Sequence, residues 1–366
     1  MREHFHVPAN YFLSHSVGCL PKRASGQLTE DYFQRWSSKG GDAWPDWMAI
    51  LDDFRAGLGD LFGTKAHNIC PQTNVSSGLT KIIHSLPVGE AKTILCSEED
   101  FPTIGFVLKQ AERVGYQVRF VSGDATALET WTDVWDETIG IVHITHAFSN
   151  TSKLAPVAQL CQMARERGAI SIVDIAQSAG AVPIDIGSWR PDFAIGTGVK
   201  FLCFGPGACY LYASDAMIET SAPLDVGWFS HEQPFEMDIH DFRYAPSAMR
   251  FFGGTPSPAP FILANAALAL WCDLDLAHVQ ARIQSHLSAL CKTIPDDCLA
   301  SPRHTNARGA TLVIDPKDRA PLRHTVAKHE IHCDERKDGF RFSVHGYTSE
   351  EEVAALAELL TVTSVK

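Results

Sequence analysis

Between residues 65 and 215 short apolar runs of β-forming residues alternate with stretches of helical periodicity, and this alternation restricts the fold more than any other feature. The runs are "TILCSE" (93–98), "VRFVSG" (118–123), "IGIVHITHA" (139–147), "ISIVDIA" (170–176), "DFAIGTG" (192–198) and "ACYLYAS" (208–214). Between them "TIGFVLKQAERVG" (103–115) and "LAPVAQLCQMARERG" (154–168) repeat apolar residues near every 3.6 positions and end on glycine. The pattern predicts an α/β domain with a largely parallel sheet covered by helices on both faces, with ligands beyond the carboxyl ends of the strands. After residue 260 the pattern becomes a long helical stretch, "PFILANAALALWCDLDLAHVQARIQSHLSALCKTI", then short strands ("ATLVID", "GFRFSV") and a helix in "TSEEEVAALAELLTVT". That predicts a smaller C-terminal α/β domain, as expected for 366 residues, since single cores stop growing near about 250–300.

A formal charge of −12 and the lack of any basic cluster argue against nucleic acid or an anionic membrane as partner and leave a small molecule as the expected one. The opening "MREHFHVPANYFLSHSVG" lacks the basic and apolar blocks of a signal peptide, and no apolar run approaches the roughly 18 residues of a membrane span, so the expected location is cytoplasmic. Ten cysteines are scattered without a Cys-x-x-Cys pair, which predicts reduced, mostly buried thiols and no zinc ribbon. "GLGDLFG" (57–63) has some of the glycines of a dinucleotide loop, but they fall inside a helical pattern rather than between a strand and a helix.

The chemistry is concentrated at two strand ends. Asp174 closes "ISIVD", where an acid at the carboxyl edge of a sheet must meet a cation, a metal or a hydrogen-bond donor; an N-cap for the following "IAQSAG" is the plainer reading. Lys200 follows 26 residues later in "GTGVKFLCFGPG". A buried lysine is costly unless it is paired, deprotonated or covalently modified. Converging on one crevice, the two suit pyridoxal 5'-phosphate (PLP): the lysine forms a Schiff base with the aldehyde and the aspartate pairs with the pyridinium nitrogen. "GTG" would let the cofactor approach the backbone, and "GPG" would turn the chain away.

The segment "VDIAQSAGAVPIDIGSWRPDFAIGTGVKFLCFGPGACYLY" resembles the lysine segment of the class V aminotransferase-fold (fold type I) PLP enzymes, most of all the kynureninases. Five further segments are similar in the same order: "YFLSHSVGCLPK" (11–22), "DFPTI" (100–104), "GWFSH" (227–231), "FFGGTPSP" (251–258) and "FRFSVHGYTSEEEV" (340–353). The resemblance implies a large PLP-binding domain over residues 21–258 with a mostly parallel central sheet. It also implies a small C-terminal domain over 259–366, and residues 1–20 as a segment packing on the small domain.

By the same resemblance Lys200 is the catalytic Schiff-base lysine, Asp174 the pyridinium partner, Phe101 the ring-stacking aromatic and Gln177 a further cofactor contact. Val75 and Ser76, where "QTNVSSGLTKII" turns into a helix, would offer backbone N–H groups and a hydroxyl to the phosphate, though a plain N-cap would read the same way. Trp228 and Thr255 would reach the phosphate partly across a subunit boundary, which implies a homodimer with shared active sites. Arg341 would take the substrate α-carboxylate in its planar fork, a buried salt bridge being the alternative. Trp44 and Trp47 either wall the substrate pocket or pack a helix.

Three positions depart from the kynureninase pattern. Val199 stands where those enzymes carry a tyrosine, Gln177 where they carry a histidine, and Ile104 where they carry an aspartate. The expected activity is therefore PLP chemistry on a free α-amino acid, with kynureninase-like hydrolytic β-cleavage in front. Transamination, cysteine desulfuration or C–S cleavage, and epimerisation are the alternatives. Desulfuration would need a mobile nucleophilic cysteine, for which Cys333 is the one candidate. A PLP-binding regulator is a further alternative, without a visible DNA-binding addition at either end.

Overall fold

The computed structural model describes residues 1–364. Seven strands form the central sheet: β1 (Ile69–Gln72), β2 (Thr93–Ser97), β3 (Gln117–Val121), β4 (Ile139–Thr145), β5 (Ile170–Asp174), β6 (Phe193–Thr197) and β7 (Cys209–Ala213). Their spatial order is β1-β7-β6-β5-β4-β2-β3. Strands β6, β5, β4, β2 and β3 run parallel, and β7 is antiparallel to both of its neighbours. Each predicted run is therefore a strand, and the sheet is mostly parallel, as expected.

Apart from the edge strand β3, which is partly exposed, these strands are buried on both faces, which explains their nearly continuous apolar sequence. One face carries Ile94, Ile141, Ile172 and Ile195 and is covered by α2 (Val75–Ile83) and α3 (Pro102–Ala111) through Leu79, Ile82, Ile104 and Leu108. The other carries Leu95, Val142, Ile144 and Val173 in a core shared with helices α1 (Trp44–Phe62) and α4 (Val157–Glu166). Gly57, Gly59 and Gly63 belong to α1 and its C-cap, so no dinucleotide loop exists there.

The apolar stretch after residue 258 is two helices rather than one, α5 (Pro258–Asp273) and α6 (Leu276–Cys291), bent by 93° where Asp275 caps the second by accepting a hydrogen bond from the His278 amide. No single helix among the described residues is long and apolar enough to cross a membrane. The C-terminal sheet has the order β8-β10-β9, with β8 (Thr311–Ile314) and β10 (Gly339–Ser343) as predicted. β9 (Asp334–Arg336) escapes sequence reading because "DER" is charged throughout, and it lies at the sheet edge, where charge is tolerated. Helices α7 (Ala320–Lys328) and α8 (Glu350–Ser364) complete this part.

The N-terminal segment joins the two regions. Phe12 accepts a hydrogen bond from the Ser343 amide on β10, and the Gly18 amide donates to Val199 O beside Lys200.

The glycines before Lys200 have a different purpose from the one expected. A Cβ on Gly196 would lie 2.4 Å from the Tyr210 hydroxyl, and one on Gly198 would lie 1.9 Å from Cδ2 of Phe204. They make room for protein aromatics. The turn after the lysine is as predicted, with Gly205 and Gly207 at φ of 79° and 90°. Gly198→Ala is expected to lower stability by about 3 kcal/mol, the upper end for overpacking, because Phe204 is itself fixed in the core against Phe54. Denaturant titration would check this; a loss under 1 kcal/mol would mean that the Phe204 loop simply moves aside.

Candidate active site

A cavity of about 220 Å³ opens at the carboxyl ends of β4, β5 and β6, lined by Val75, Ser76, Phe101, Thr145, Asp174, Gln177 and Lys200 among others. The parallel register dictates the convergence. Thr145 pairs with Asp174 and Asp174 with Ile195, so the strand ends stop at one edge and the chain beyond β6 returns Lys200 to the same opening.

Lys200 has no hydrogen bond or ion pair from its Nζ among the described residues, and Nζ lies 5.7 Å from the Phe101 ring centroid. Burial pushes its ammonium down to about 8; Asp174 opposes that shift, while Arg341 and Arg336 add to it. A lysine in this state is a nucleophilic amine close to neutral pH. Asp174 is buried, and its Oδ1 accepts the Ala176 amide at 2.7 Å. Burial pushes its carboxyl up, against the pull of His143, the Ala176 amide and Lys200. "IAQSAG" after it forms turns instead of the helix that an N-cap would have required.

At the other end of the cavity α2 begins. Asn74 caps it, its side chain accepting from the Ser77 amide at 2.8 Å, while the Ser76 amide and hydroxyl donate to nothing among the described residues. A helix N-terminus with its Ser76 amide and hydroxyl free, opposite a carboxylate and an unpaired lysine, suits a ligand with phosphate at one end and a cationic ring nitrogen at the other. Phe101, at the start of α3, presents its ring to the space between them. Gln177 also lines the cavity and donates to the backbone oxygen of His15 at 3.2 Å.

Other expected residues lie outside this cavity. Arg341 is fully buried behind it: Nε donates to Asp334 Oδ1 at 2.7 Å, Nη2 donates to Oδ2 of the same carboxylate, and Nη1 donates to the backbone oxygen of Ser149, a lining residue, at 2.8 Å. Trp228 and Thr255 meet each other, indole Nε1 donating to the hydroxyl at 3.3 Å, away from the lining residues. Trp44 and Trp47 pack edge to face with centroids 5.3 Å apart, and Trp47 donates to the Asp31 carbonyl. They are helix-packing tryptophans, not pocket walls, because the apolar stripe of α1 faces the core.

Three residues of the site are not singled out by sequence reading. Thr145, whose buried hydroxyl is unpartnered, ends β4 as Asp174 ends β5, and the same strand-end argument would have found it. Cys209 lines the cavity from β7, with its thiol pushed up to about 11 by burial. Arg336 places its guanidinium 5.7 Å from the Phe101 ring centroid; only the hairpin between β9 and β10 brings it there.

The aminotransferase class-V family model matches residues 21–356. The chain belongs to the class-V aminotransferase family. It is similar to the kynureninase of Deinococcus radiodurans, at 30% identity over 294 residues covering 77% of this chain and 70% of that protein. The kynureninase of Pseudomonas fluorescens is 24% identical over 338 residues, 85% of this chain and 78% of that one. A solved structure of a C-DES mutant with glycine covalently linked to the PLP cofactor superposes with a TM-score of 0.87 at 21% identity, covering 99% of both chains, a likeness of fold. The chain is thus a PLP-dependent enzyme of this family, and the unpaired lysine, the buried acid and the open helix N-terminus fit that cofactor. Bound there, PLP supplies an electrophilic aldehyde carbon and an electron-withdrawing ring.

Proposed function

We propose that the enzyme cleaves a free α-amino acid at its β-carbon, with Lys200 as the group that binds the cofactor aldehyde and then moves the α-proton. The observation that carries this reading is the state of Lys200: partly buried, unpaired, and with its ammonium lowered to about 8, so that one amine serves as nucleophile and base near neutral pH. With the cofactor bound, Asp174 would pair with the ring nitrogen, Phe101 would stack on the ring, Gln177 would border it, and Val75 with Ser76 would receive the phosphate. Arg341 takes the substrate carboxylate, for which Asp334 must yield part of the guanidinium fork.

Trp228 and Thr255 complete the phosphate site of a second subunit in a homodimer. Supporting this, the stretch around Trp228 exposes the apolar side chains of Leu224, Val226, Phe235, Met237, Ile239 and Phe242, which a second subunit would cover.

Kynureninase-like hydrolysis between the β- and γ-carbons is the leading reaction, supported by the identity to kynureninase. C–S elimination is the second reading, favoured by Val199: no hydroxyl stands before Lys200 to protonate a γ-carbonyl, whereas a sulfur leaving group needs less help. C-DES, the structural neighbour, is a cystine C–S lyase. A desulfurase is disfavoured, since Cys333 lines a separate groove with Asn10 and Glu330 and burial pushes its thiol up to about 12.

The test is to assay the loaded enzyme with L-kynurenine for anthranilate and alanine, and with L-cystine for pyruvate and ammonia. Anthranilate is the expected product. Pyruvate from cystine alone would select the second reading, and turnover of neither would overturn β-cleavage.

A further inference from the structure

Beneath Asp174 the sheet carries a charged pair that the chemistry above does not use. His143 is fully buried on β4, and its Nδ1 lies 3.0 Å from Asp100 Oδ2. The Asp100 side chain is 4% exposed, and the Ser97 amide donates to the same oxygen at 3.2 Å. The second polar atom of each, Nε2 of His143 and Oδ1 of Asp100, is buried without a partner among the described residues. For folding alone, an isoleucine like its neighbours in "IGIVHIT" would suit this strand better, because unpaired buried polar atoms are costly.

The register shows what the pair adjoins. His143 is level with Ile172, and Thr145 with Asp174. Alternate residues of a strand share a face, so His143 lies one pleat below the cavity on the side where Thr145 and Asp174 line it. Two titratable groups act on the ring: Asp100, from the turn after β2, and Asp174, from β5. Asp174 in turn feels His143, Lys200 and Asp100. With a neutral ring, two carboxylates would share this low-dielectric space, and Lys200 would be the cation left acting on Asp174. Protonated, the ring is the cation between them. Burial alone would strip its proton, yet the two carboxylates prevail and raise its affinity for it.

We propose that His143, clamped by Asp100, is a buried imidazolium that serves as counter-charge to Asp174 and keeps that carboxylate ionised toward the ring nitrogen of the cofactor. It is a positioning residue, and the proposal rests on the reading of Asp174 as the ring partner.

The test uses the loaded enzyme. Side-chain nitrogen NMR of histidine-labelled protein, with His143→Gln identifying the signal, should show both His143 nitrogens protonated at pH 7; a neutral ring there would overturn the proposal. In His143→Gln the visible absorbance of the lysine-bound cofactor should titrate at least about one pH unit higher, since loss of a nearby positive charge makes neighbouring protons harder to remove. An unmoved midpoint would also overturn it. Asp100→Asn, which keeps the side-chain shape, should neutralise the ring without moving the midpoint as far as His143→Gln does, because a negative charge is lost with the positive one; a ring still protonated in Asp100→Asn would show that Asp100 does not clamp it. Turnover should fall about tenfold or more in kcat with KM kept. Asp174→Asn separates the two readings: if that variant keeps full turnover, the assignment of Asp174 fails first. If it loses turnover while the His143 ring is neutral, only the present proposal fails.

Discussion

Replacing Lys200 by alanine is expected to remove the visible absorbance of lysine-bound cofactor and to lower turnover by at least roughly 10²–10⁴, the range for loss of a positioned proton-transfer group. Lys200 is the one lysine lining the cavity. Borohydride reduction followed by mass spectrometry would therefore attach the cofactor to the wild-type protein at Lys200 and leave the variant unmodified. A variant still modified elsewhere, with its spectrum intact, would refute the assignment. The lowered ammonium adds a pH signature. Capture of the aldehyde requires the neutral amine, so the rate at which cofactor-free enzyme takes up PLP should rise with pH and level off above about 8. An unperturbed lysine would keep gaining rate toward about 10.4.

Asp174→Asn is expected to cost on the order of 10²–10³ in turnover, the size of effect found when one preorganised group that stabilises the developing transition state is removed. The substitution is informative because it is mild. Asparagine retains an acceptor for the Ala176 amide, so the local turn after β5 survives and the cofactor still reaches Lys200. Only the negative charge toward the ring is lost. Steady-state kinetics should show the loss in kcat, with stability and the absorbance of bound cofactor kept. Turnover within a few-fold of wild type would reduce Asp174 to a cap for its own turn.

The parts of the site legible in the sequence were those set by position along a single strand or helix. Asp174 and Lys200 could be placed because each follows a run of β-forming residues, and a strand end in a parallel sheet has only one edge to reach. Val75 and Ser76 could be placed because a polar turn before an apolar helical stretch marks a helix N-terminus. Arg336 could not be, since its approach to Phe101 depends on a hairpin of charged residues in the other sheet. The surroundings of Arg341 were equally hidden: its carboxylate partner, Asp334, comes from the neighbouring strand of an antiparallel pair. The glycines of "GTG" were misread for the same reason, their neighbours Tyr210 and Phe204 being close in space through the packing of β6, β7 and the turn after Lys200.

Local pattern by itself determined the alternation of strands and helices, the mostly parallel sheet and the edge at which chemistry could occur, because apolar periodicity and turn residues act over a few positions of chain. Tertiary structure alone decided which charges face one another. The register of β4 against β5 set His143 beneath Asp174, the bend at Asp275 divided one apolar stretch into two helices, and burial lowered the ammonium of Lys200. These depend on distances across the fold and on the exclusion of water, and neither is encoded in the spacing of residues along one element.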